Sequence, residues 1–333
     1  MTDYRLKENR EEYFTKMYQM NLNYGIMPGL VYLYMPELAK RFNWGMEQKL
    51  WFAALNGTTQ NPITSLRIMQ EFPEVPYNSV MCSELEQWFN KNWTTLSYDQ
   101  DRRHQKVDTP KFVESYSRLA YDAGSQEKLL SGTFSELWDR VTKQFHSFGR
   151  LASFSYLEYV RIMGAGADCD RLFLEDKSGS KSHRNGMLFL IGKDELVWDK
   201  RQENSHDGNY DNFRAMCSWL ESRASGYLAD CGIEHADKGF FTFESQCCQF
   251  KNGFFRRRYA GVYSDMALDR IKWYDDRGFS ELTKVFKQIR EDKLPEWLRE
   301  ECEDTSFAYL NHRNKRAAQF ADTGVPFRAE HFM

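Results

Sequence analysis

The sequence lacks most of the features from which the class of a protein can be read directly. Its seven cysteines form no CxxC pair and no Cys/His ladder, which argues against a structural zinc site. Seven scattered thiols in 333 residues are typical of a reduced, intracellular protein. No apolar run approaches the ~18 residues of a transmembrane helix, and residues 1–12 lack the apolar segment of a signal peptide. We therefore expect a soluble cytoplasmic protein.

The chain also has no excess of basic charge. Its net charge is −3, so any contact with nucleic acid must come from a local patch rather than from the field of the whole protein. Aromatic residues are abundant at 16%, which suits both bulky helical packing and stacking on bases. There is no internal repeat and no low-complexity linker. We predict one compact, mainly α-helical domain over residues 1–333 with few short strands, an exposed insertion at 199–209 and a peripheral tail at 312–333.

Apolar residues at helical spacing mark the segments that we expect to be helices. These segments are 5–22, 44–55, 62–72, 110–122, 134–145, 151–163, 210–224 and 280–290. Asn61 before Pro62 predicts a capped helix start. Ser83 with Glu86, and Thr133 with Glu136, have the spacing of capping boxes.

The stretch Tyr98–Lys106 has an unusual density of charge. It holds two carboxylates, two guanidiniums, an imidazole and an ammonium in nine residues. One interpretation is a solvated loop, which is usual for charge runs. The other is a polyanion site, because arginine forks such as Arg102 and Arg103 grip phosphate oxygens in pairs.

Three further stretches have related compositions. Residues 56–62 read as a polar loop in which Gly57 allows a tight turn, and such a loop could bind an anion or a base edge or serve only as a capped turn. Residues 178–186 carry donors at nearly every position and two glycines, which suits either an anion-cradling loop or a surface loop. Residues 250–261 interleave four cations with aromatics and contain no acid, as backbone contact with base stacking requires. Asp265, Asp269 and Arg270 follow at helical spacing.

Glu158 lies on a helix, predicted over 151–163, that is apolar or small nearly all round. A carboxylate there must be paired, hydrogen-bonded or neutral. Arg150 precedes the helix and is a candidate partner. Glu158 is therefore either half of a structural buried pair or a functional acid. Gly164-Ala165-Gly166 then breaks the helix.

Several stretches taken together resemble a family. They are residues 50–62, 101–103, 148–158, 182–186, Lys251, 258–263 and Asp265. The chain resembles a bacteriophage amino acid:DNA transferase, a group similar to the α-glutamyl/putrescinyl-thymine pyrophosphorylases of thymine hypermodification. The resemblance covers most of residues 30–275. It implies a helical fold related to helix-hairpin-helix DNA glycosylases, and a location in the host cell cytoplasm if the chain is phage-encoded.

The resemblance also implies a reaction and its partners. The substrate would be double-stranded DNA carrying pyrophosphorylated 5-hydroxymethyluracil, and a free, glycine-like amino acid would displace pyrophosphate at the methylene through its nitrogen. The base would be flipped out and stacked on an aromatic ring. No cofactor or metal is needed by this scheme, although Mg²⁺ bound to pyrophosphate is compatible with it, and no membrane is involved.

This chemistry assigns roles to residues. Glu158 is the expected proton acceptor and Asp101 the group that orients Arg103 or the ammonium. Arg150 is expected to bind the carboxylate of the amino acid. The expected pyrophosphate ligands are Arg102, Arg103, His183, Arg184 and Asn185. The expected DNA-binding residues are Asn56, Thr58, Gln60, Asn61, Lys251, Arg256, Arg257, Arg258 and Tyr259.

Two alternative functions remain open at this stage. A glycosylase-like hydrolase would use a single carboxylate to release a modified base. A non-catalytic phage DNA-binding protein would use the basic stretches and leave Glu158 and Asp101 without a role. The sequence does not identify the amino acid, because its side chain is selected by a pocket whose walls cannot be located from the sequence.

Overall fold

A computed structural model describes residues 2–25, 31–174, 181–196, 210–230, 239–254, 262–299 and 320–326. Within these ranges the chain is built from α-helices and short 3-10 turns and has no β-strand, so the mainly helical class is confirmed. In chain order the helices are α1 (Arg10–Asn23), α2 (Val31–Arg41), α3 (Met46–Thr59), α4 (Pro62–Glu71), α5 (Ser79–Asn92), α6 (Thr109–Ala123), α7 (Gln126–Leu129), α8 (Phe134–Gln144), α9 (Arg150–Ile162), α10 (Lys181–Leu190), α11 (Tyr210–Asp230), α12 (Gly239–Phe254), α13 (Val262–Asp275) and α14 (Ser280–Lys293).

The chain divides into two compact units. The inner unit comprises residues 31–167 and 269–292, and the terminal unit comprises residues 1–30, 168–268 and 293–333. The border between them falls within α13. The single domain that the sequence suggests stays a prediction.

The inner unit is organised around α3 and α9, which pack against each other. Every residue from Leu50 to Thr59 and from Ala152 to Val160 is buried. Gly57 faces α9, where an added Cβ would lie 3.0 Å from a ring carbon of Phe148 and 3.3 Å from the Cβ of Tyr156. Glycine therefore suits the close helix packing here, and the tight turn that the sequence suggested is wrong because α3 continues through Thr59.

Aromatic side chains fill the space beside these helices. Phe112 of α6 stacks on Phe148 with ring centroids 4.7 Å apart and an interplanar angle of 10°. Tyr116 meets Phe145 edge to face, and Tyr156 of α9 closes the group against Phe148. Such pairs add to area burial and fix ring orientations. They hold α6, α9 and the segment before α9 in one rigid core.

Two of the three predicted helix caps are confirmed. The Asn61 side chain accepts from the Ile63 N–H at 3.1 Å and begins α4. Thr133 and Glu136 exchange the hydrogen bonds of a capping box at the start of α8. The box predicted at residues 83–86 is wrong, because α5 already begins at Ser79, capped by the side chain of Asn78.

In the terminal unit, α1, α10 and α12 pack together. Phe14 of α1 meets Phe243 and Phe250 of α12 edge to face. Gly186 of α10 abuts the Cys247 backbone of α12, and an added Cβ would lie 2.6 Å from the Cys247 carbonyl carbon. The glycine allows the two backbones to approach more closely than any side chain would permit.

The predicted insertion 199–209 and most of the predicted tail lie outside the described residues. The described piece of the tail, residues 320–326, docks on the N-terminal segment: the Tyr4 N–H donates to the Gly324 carbonyl at 2.9 Å, and Phe320 is fully buried. In the described part of the chain, no helix combines the length and apolarity needed to cross a membrane.

Candidate active site

The charged stretch Tyr98–Lys106 packs against the end of α3. The Asp99 N–H donates to the Thr59 carbonyl at 3.0 Å, and residues Gln100–Gln105 form a 3-10 turn. The Asp99 side chain is buried and forms an ion pair with Arg270 of α13. A buried, paired carboxylate is not part of a solvated loop, so that interpretation is wrong for Asp99.

Arg102 joins α3 to α9 through its guanidinium. It is fully buried; Nε donates to the Gly57 carbonyl at 3.1 Å, and Nη2 donates to the Leu151 carbonyl at 3.3 Å and to Ser155 Oγ at 3.2 Å. A charge can remain buried only if it is paired or hydrogen-bonded in this way. Its neighbour Arg103 is exposed. Of the two arginines predicted to bind pyrophosphate, Arg103 therefore presents its guanidinium to solvent, and the ligand role of Arg102 stays a prediction.

The loop predicted at residues 56–61 is wrong. Helix α3 continues through Thr59 and ends at Gln60, which adopts the left-handed conformation with φ of 47°. Asn56, Thr58 and Asn61 are buried, and the amide of Asn61 is occupied by its cap and by a 2.9 Å bond to the Ser97 carbonyl. Packing against α9 keeps a polar segment helical. Contact of these side chains with DNA stays a prediction, one that their burial counts against.

Glu158 is buried on α9, where its Oε1 accepts a hydrogen bond from the Tyr32 hydroxyl of α2 at 3.1 Å. Arg150 lies eight positions earlier, about 12 Å along the helix axis. Its guanidinium lies over the rings of Trp138 and Phe154, 6.0 and 5.4 Å from their centroids. The pairing of Arg150 with Glu158 that the sequence suggested is therefore wrong. Asp101 belongs to the 3-10 turn, and its side chain lies outside the described residues.

Tyr159 connects these charged groups electrostatically. Burial raises the pKa of its phenol to about 12, while the nearby guanidiniums of Arg102 and Arg270 oppose that rise and Glu158 adds to it. The cations of Arg102 and Arg270 and the carboxylate of Glu158 thus all act on one buried ring of the inner unit.

Asp269 precedes Arg270 on α13. Burial raises the pKa of its carboxyl from the ordinary 3.8 to about 7, against the opposing charges of Lys272 and Arg270. Its Oδ2 is closed off from solvent and has no hydrogen-bond partner among the described residues. The sequence reasoning assigned no role to Asp99, Asp269 or Arg270. The only available signal was the helical spacing of Asp269 and Arg270 and the position of Asp99 in the charged stretch.

We call the set Asp99, Arg102, Glu158, Tyr159, Asp269 and Arg270 the polar cluster of the inner unit. Its cations could stabilise an oxyanion, and its carboxylates could accept a proton. The described residues include no group of three His, Cys, Asp or Glu side chains arranged for a metal ion.

A cavity of about 620 Å³ opens at the other end of α3. Its walls include Glu47, Glu74, Tyr77 and Tyr121, and no Lys or Arg is among the described residues that line it. Helix α3 has 14 residues, so this cavity is roughly 15–20 Å from the buried end at Thr59. A cavity with two carboxylates and no cation is unsuited to pyrophosphate, and we do not assign it to the site.

In the terminal unit, the donor-rich loop predicted at 178–186 is wrong from Lys181 onward, because these residues begin α10. His183 is buried, with Nδ1 3.0 Å from Glu244 Oε1 and Nε2 3.2 Å from the Leu172 carbonyl. Arg184 is fully buried and donates from Nη1 to the Leu174 carbonyl at 2.6 Å. Their roles in binding pyrophosphate, and that of the buried Asn185, stay predictions.

The basic–aromatic stretch is only partly described. Lys251 lies half-buried in the last turn of α12. Arg256, Arg257, Arg258 and Tyr259, which the sequence assigns to DNA, lie outside the described residues. The predicted site residues that the structure brings together are thus Arg102 and Glu158 in the inner unit, and His183, Arg184 and Asn185 on one turn of α10 in the terminal unit.

Comparison with known proteins identifies the family. The profile of the family described as amino acid:DNA transferase matches residues 33–259. A protein named serinyltransferase from Salmonella phage ViI is 28% identical over 305 residues, which cover 86% of this chain and 73% of that protein. No solved structure matches this chain, so the relation to helix-hairpin-helix glycosylases stays a prediction. The family profile covers more than half of the sequence, and the chain therefore belongs to the amino acid:DNA transferases.

Proposed function

We propose that this transferase modifies thymine-derived bases in DNA. An amino acid attacks the methylene of 5-pyrophosphorylmethyluracil through its nitrogen and releases pyrophosphate. A carboxylate takes a proton from the ammonium group, and the freed lone pair forms the N–C bond. The C–O bond to pyrophosphate breaks, and the leaving oxygen keeps the electron pair. Membership of the family supports the transfer of an amino acid to DNA. The more specific proposal is that the acceptor is a pyrophosphorylated base.

The polar cluster is the observation that supports the proposal of a pyrophosphorylated acceptor base. Arg102 is buried and Arg270 is largely buried. Arg270 pairs with Asp99, and both cations and Glu158 act on the phenol of Tyr159 in a frame of packed helices. A displacement that expels pyrophosphate needs preorganised positive charge where the negative charge develops. It also needs a carboxylate, because only the neutral amine is a nucleophile. The inner unit supplies both kinds of group at the end of α3.

The individual roles follow the sequence-based assignments with one adjustment. Arg103 is the better candidate to touch the leaving group directly, because it is exposed whereas Arg102 is bonded to α3 and α9. Arg150 remains the candidate for the carboxylate of the amino acid, since its stacking on Trp138 and Phe154 holds the guanidinium in a fixed plane. Lys251 with residues 256–259 remains the candidate contact with DNA.

The amino acid that we propose is small. A glycine-like donor is the expectation from the sequence, and the name serinyltransferase of the phage relative also indicates a small side chain. Glycine and serine differ by one hydroxymethyl group, so a modest change in pocket volume would decide between them.

The test is a transfer assay on synthetic duplex DNA containing one pyrophosphorylated hydroxymethyluracil. The protein is incubated with each amino acid in turn, released pyrophosphate is measured, and the DNA is digested to nucleosides for mass spectrometry. We expect an aminoacyl-modified nucleoside and one pyrophosphate for each product. Duplexes with thymine or unphosphorylated hydroxymethyluracil serve as substrate controls. Abasic sites would instead favour the glycosylase-like alternative, and binding without any product would contradict the proposal.

Variant proteins sharpen the same assay. Glu158→Gln keeps the size and hydrogen-bonding capacity of the side chain and should still bind DNA, but we expect it to lose turnover. Glu84→Gln is the matched control, because Glu84 is exposed on α5 of the same unit. Equal turnover of these two variants would remove Glu158 from the reaction.

A further inference from the structure

Asp269 has properties for which the packing of the inner unit gives no structural use. The side chain is half-buried on α13, Oδ2 is closed off from solvent, and neither carboxylate oxygen accepts a hydrogen bond from a described residue. Burying an unbonded carboxylate is costly, and folds retain such groups mainly where they serve a site. Burial also raises the pKa of this carboxyl to about 7, so near neutral pH it can both release and accept a proton.

The surroundings of Asp269 connect it to the polar cluster. The charged groups that act on it are Arg270 and Lys272 of its own helix. Asp99, which precedes the 3-10 turn, forms an ion pair with Arg270 and neutralises part of its positive charge. From α9, the phenol of Tyr159 lies within electrostatic range of Arg270, Arg102 and Glu158. Asp269 therefore adjoins Arg270, one of the cations that would receive the leaving group.

We propose that Asp269 is the catalytic proton acceptor for the incoming amine. The inference rests on the proposed function and names a group in it. The amino acid's ammonium gives one proton to the Asp269 carboxylate, and the nitrogen lone pair then forms the bond to the methylene. The C–O bond breaks, and pyrophosphate leaves with the electron pair. Glu158, held by Tyr32, becomes a positioning residue for the cations.

Chemistry favours Asp269 over the other carboxylates of the cluster. A general base is most effective when it titrates near the working pH. Asp99 forms an ion pair with Arg270 through its Oδ2. Glu158 is almost fully buried and accepts the Tyr32 hydroxyl. Asp269 is the described carboxylate of this cluster that has neither an ion-pair partner in contact nor a hydrogen bond.

The experiment compares pH–rate profiles under single turnover on pyrophosphorylated duplex with saturating glycine or serine. In the parent we expect the rate to fall on the acid side of about pH 7, where the base becomes protonated. Asp269→Asn should bind DNA normally, lose about 10²–10⁴-fold in rate and show no acidic limb in the residual activity. Asp269→Glu should recover part of the rate. Glu158→Gln should keep the acidic limb, and Asp276→Asn, an exposed carboxylate just past α13, should behave as the parent.

Two results would overturn the assignment. One is parental turnover, or an unchanged acidic limb, in Asp269→Asn. The other comes from an NMR titration of protein labelled with ¹³C at aspartate, which does not depend on turnover. In that titration we expect one carboxyl to titrate near pH 7 in the parent and its signal to be missing in Asp269→Asn. If every aspartate titrates below about pH 5, the group cannot act as this base. If the titration is as expected but the parent forms no product from pyrophosphorylated DNA, the proposed function itself is refuted, and with it the reaction in which Asp269 acts.

Discussion

Arg102 should contribute to stability far more than its exposed neighbour does. Its guanidinium donates to two backbone carbonyls and to Ser155, at distances of 3.1 to 3.3 Å. Hydrogen bonds to charged groups contribute about 1.5–3 kcal/mol each, and they are not additive within one side chain. Removing them also leaves buried carbonyls without donors. We expect Arg102→Met to lower the free energy of unfolding by about 3–5 kcal/mol. Arg102→Lys, which can replace one bond, should lower it by about 2 kcal/mol.

The assay is thermal unfolding followed by circular dichroism. For a folding unit of about 150–250 residues, 1 kcal/mol corresponds to roughly 2–4 °C, so Arg102→Met should lower Tm by about 6–20 °C. Arg103→Ala is the matched control, because Arg103 is the next residue and is exposed. It should leave Tm within about 2 °C of the parent while weakening inhibition by added pyrophosphate.

One result would contradict the structural role of Arg102. If Arg102→Lys unfolds at the temperature of the parent but loses most turnover, the guanidinium is not needed to join α3 and α9. That result would favour the direct phosphate role predicted from the sequence.

Two further predictions concern packing and pH. Gly186→Ala should lower the free energy of unfolding, measured by chemical denaturation, by about 3 kcal/mol, because a Cβ would lie 2.6 Å from the Cys247 carbonyl carbon. Gly226→Ala is the control: an added Cβ there has no atom within 4 Å, so the substitution should be neutral or stabilising. The raised pKa of Asp269 means that its contribution to stability is fully present below about pH 4 and is lost as the pH rises through about 7. Asp269→Asn should therefore become more stable than the parent across this window, by on the order of 1–2 kcal/mol, less than the full shift implies because the side chain is partly exposed. A constant difference in urea midpoints between pH 4 and pH 8 would contradict that reasoning.

The local features of the fold could be predicted from the sequence. Helix α8 has its capping box and a regular apolar face, and α4 has Asn61 before Pro62, so both begin where predicted. The end of α3 was missed because Asn56 and Gly57 favour turns when judged alone. Contact with Phe148 and Tyr156 overrides that preference, and the helix continues to Thr59. The start of α10 was missed for the same reason, since Gly186 serves packing against α12.

The pairings within the site were beyond the reach of local reasoning. Asp99 and Arg270 are 171 positions apart, and Tyr32 and Glu158 are 126 positions apart. Neither pair leaves a spacing pattern in the sequence, because a helix face constrains only neighbours three or four positions away. The sequence therefore indicated which residue types the chemistry needs and which segments carry them, but not which carboxylate each cation would bind.

The arginines show that composition alone does not separate structural support from binding. Arg102 and Arg184 were both expected to hold pyrophosphate, and both are buried with their guanidiniums on backbone carbonyls. A carbonyl oxygen and a phosphate oxygen are alike to an N–H donor, so the same residue type in the same donor-rich stretch suits either partner. What separates the two roles is how many acceptors the fold itself supplies. The last turn of a helix leaves carbonyls without intrahelical partners, and a buried arginine can satisfy them, as Arg102 does for Gly57 near the end of α3. An arginine that binds a substrate must keep donors free for it, as the exposed Arg103 does.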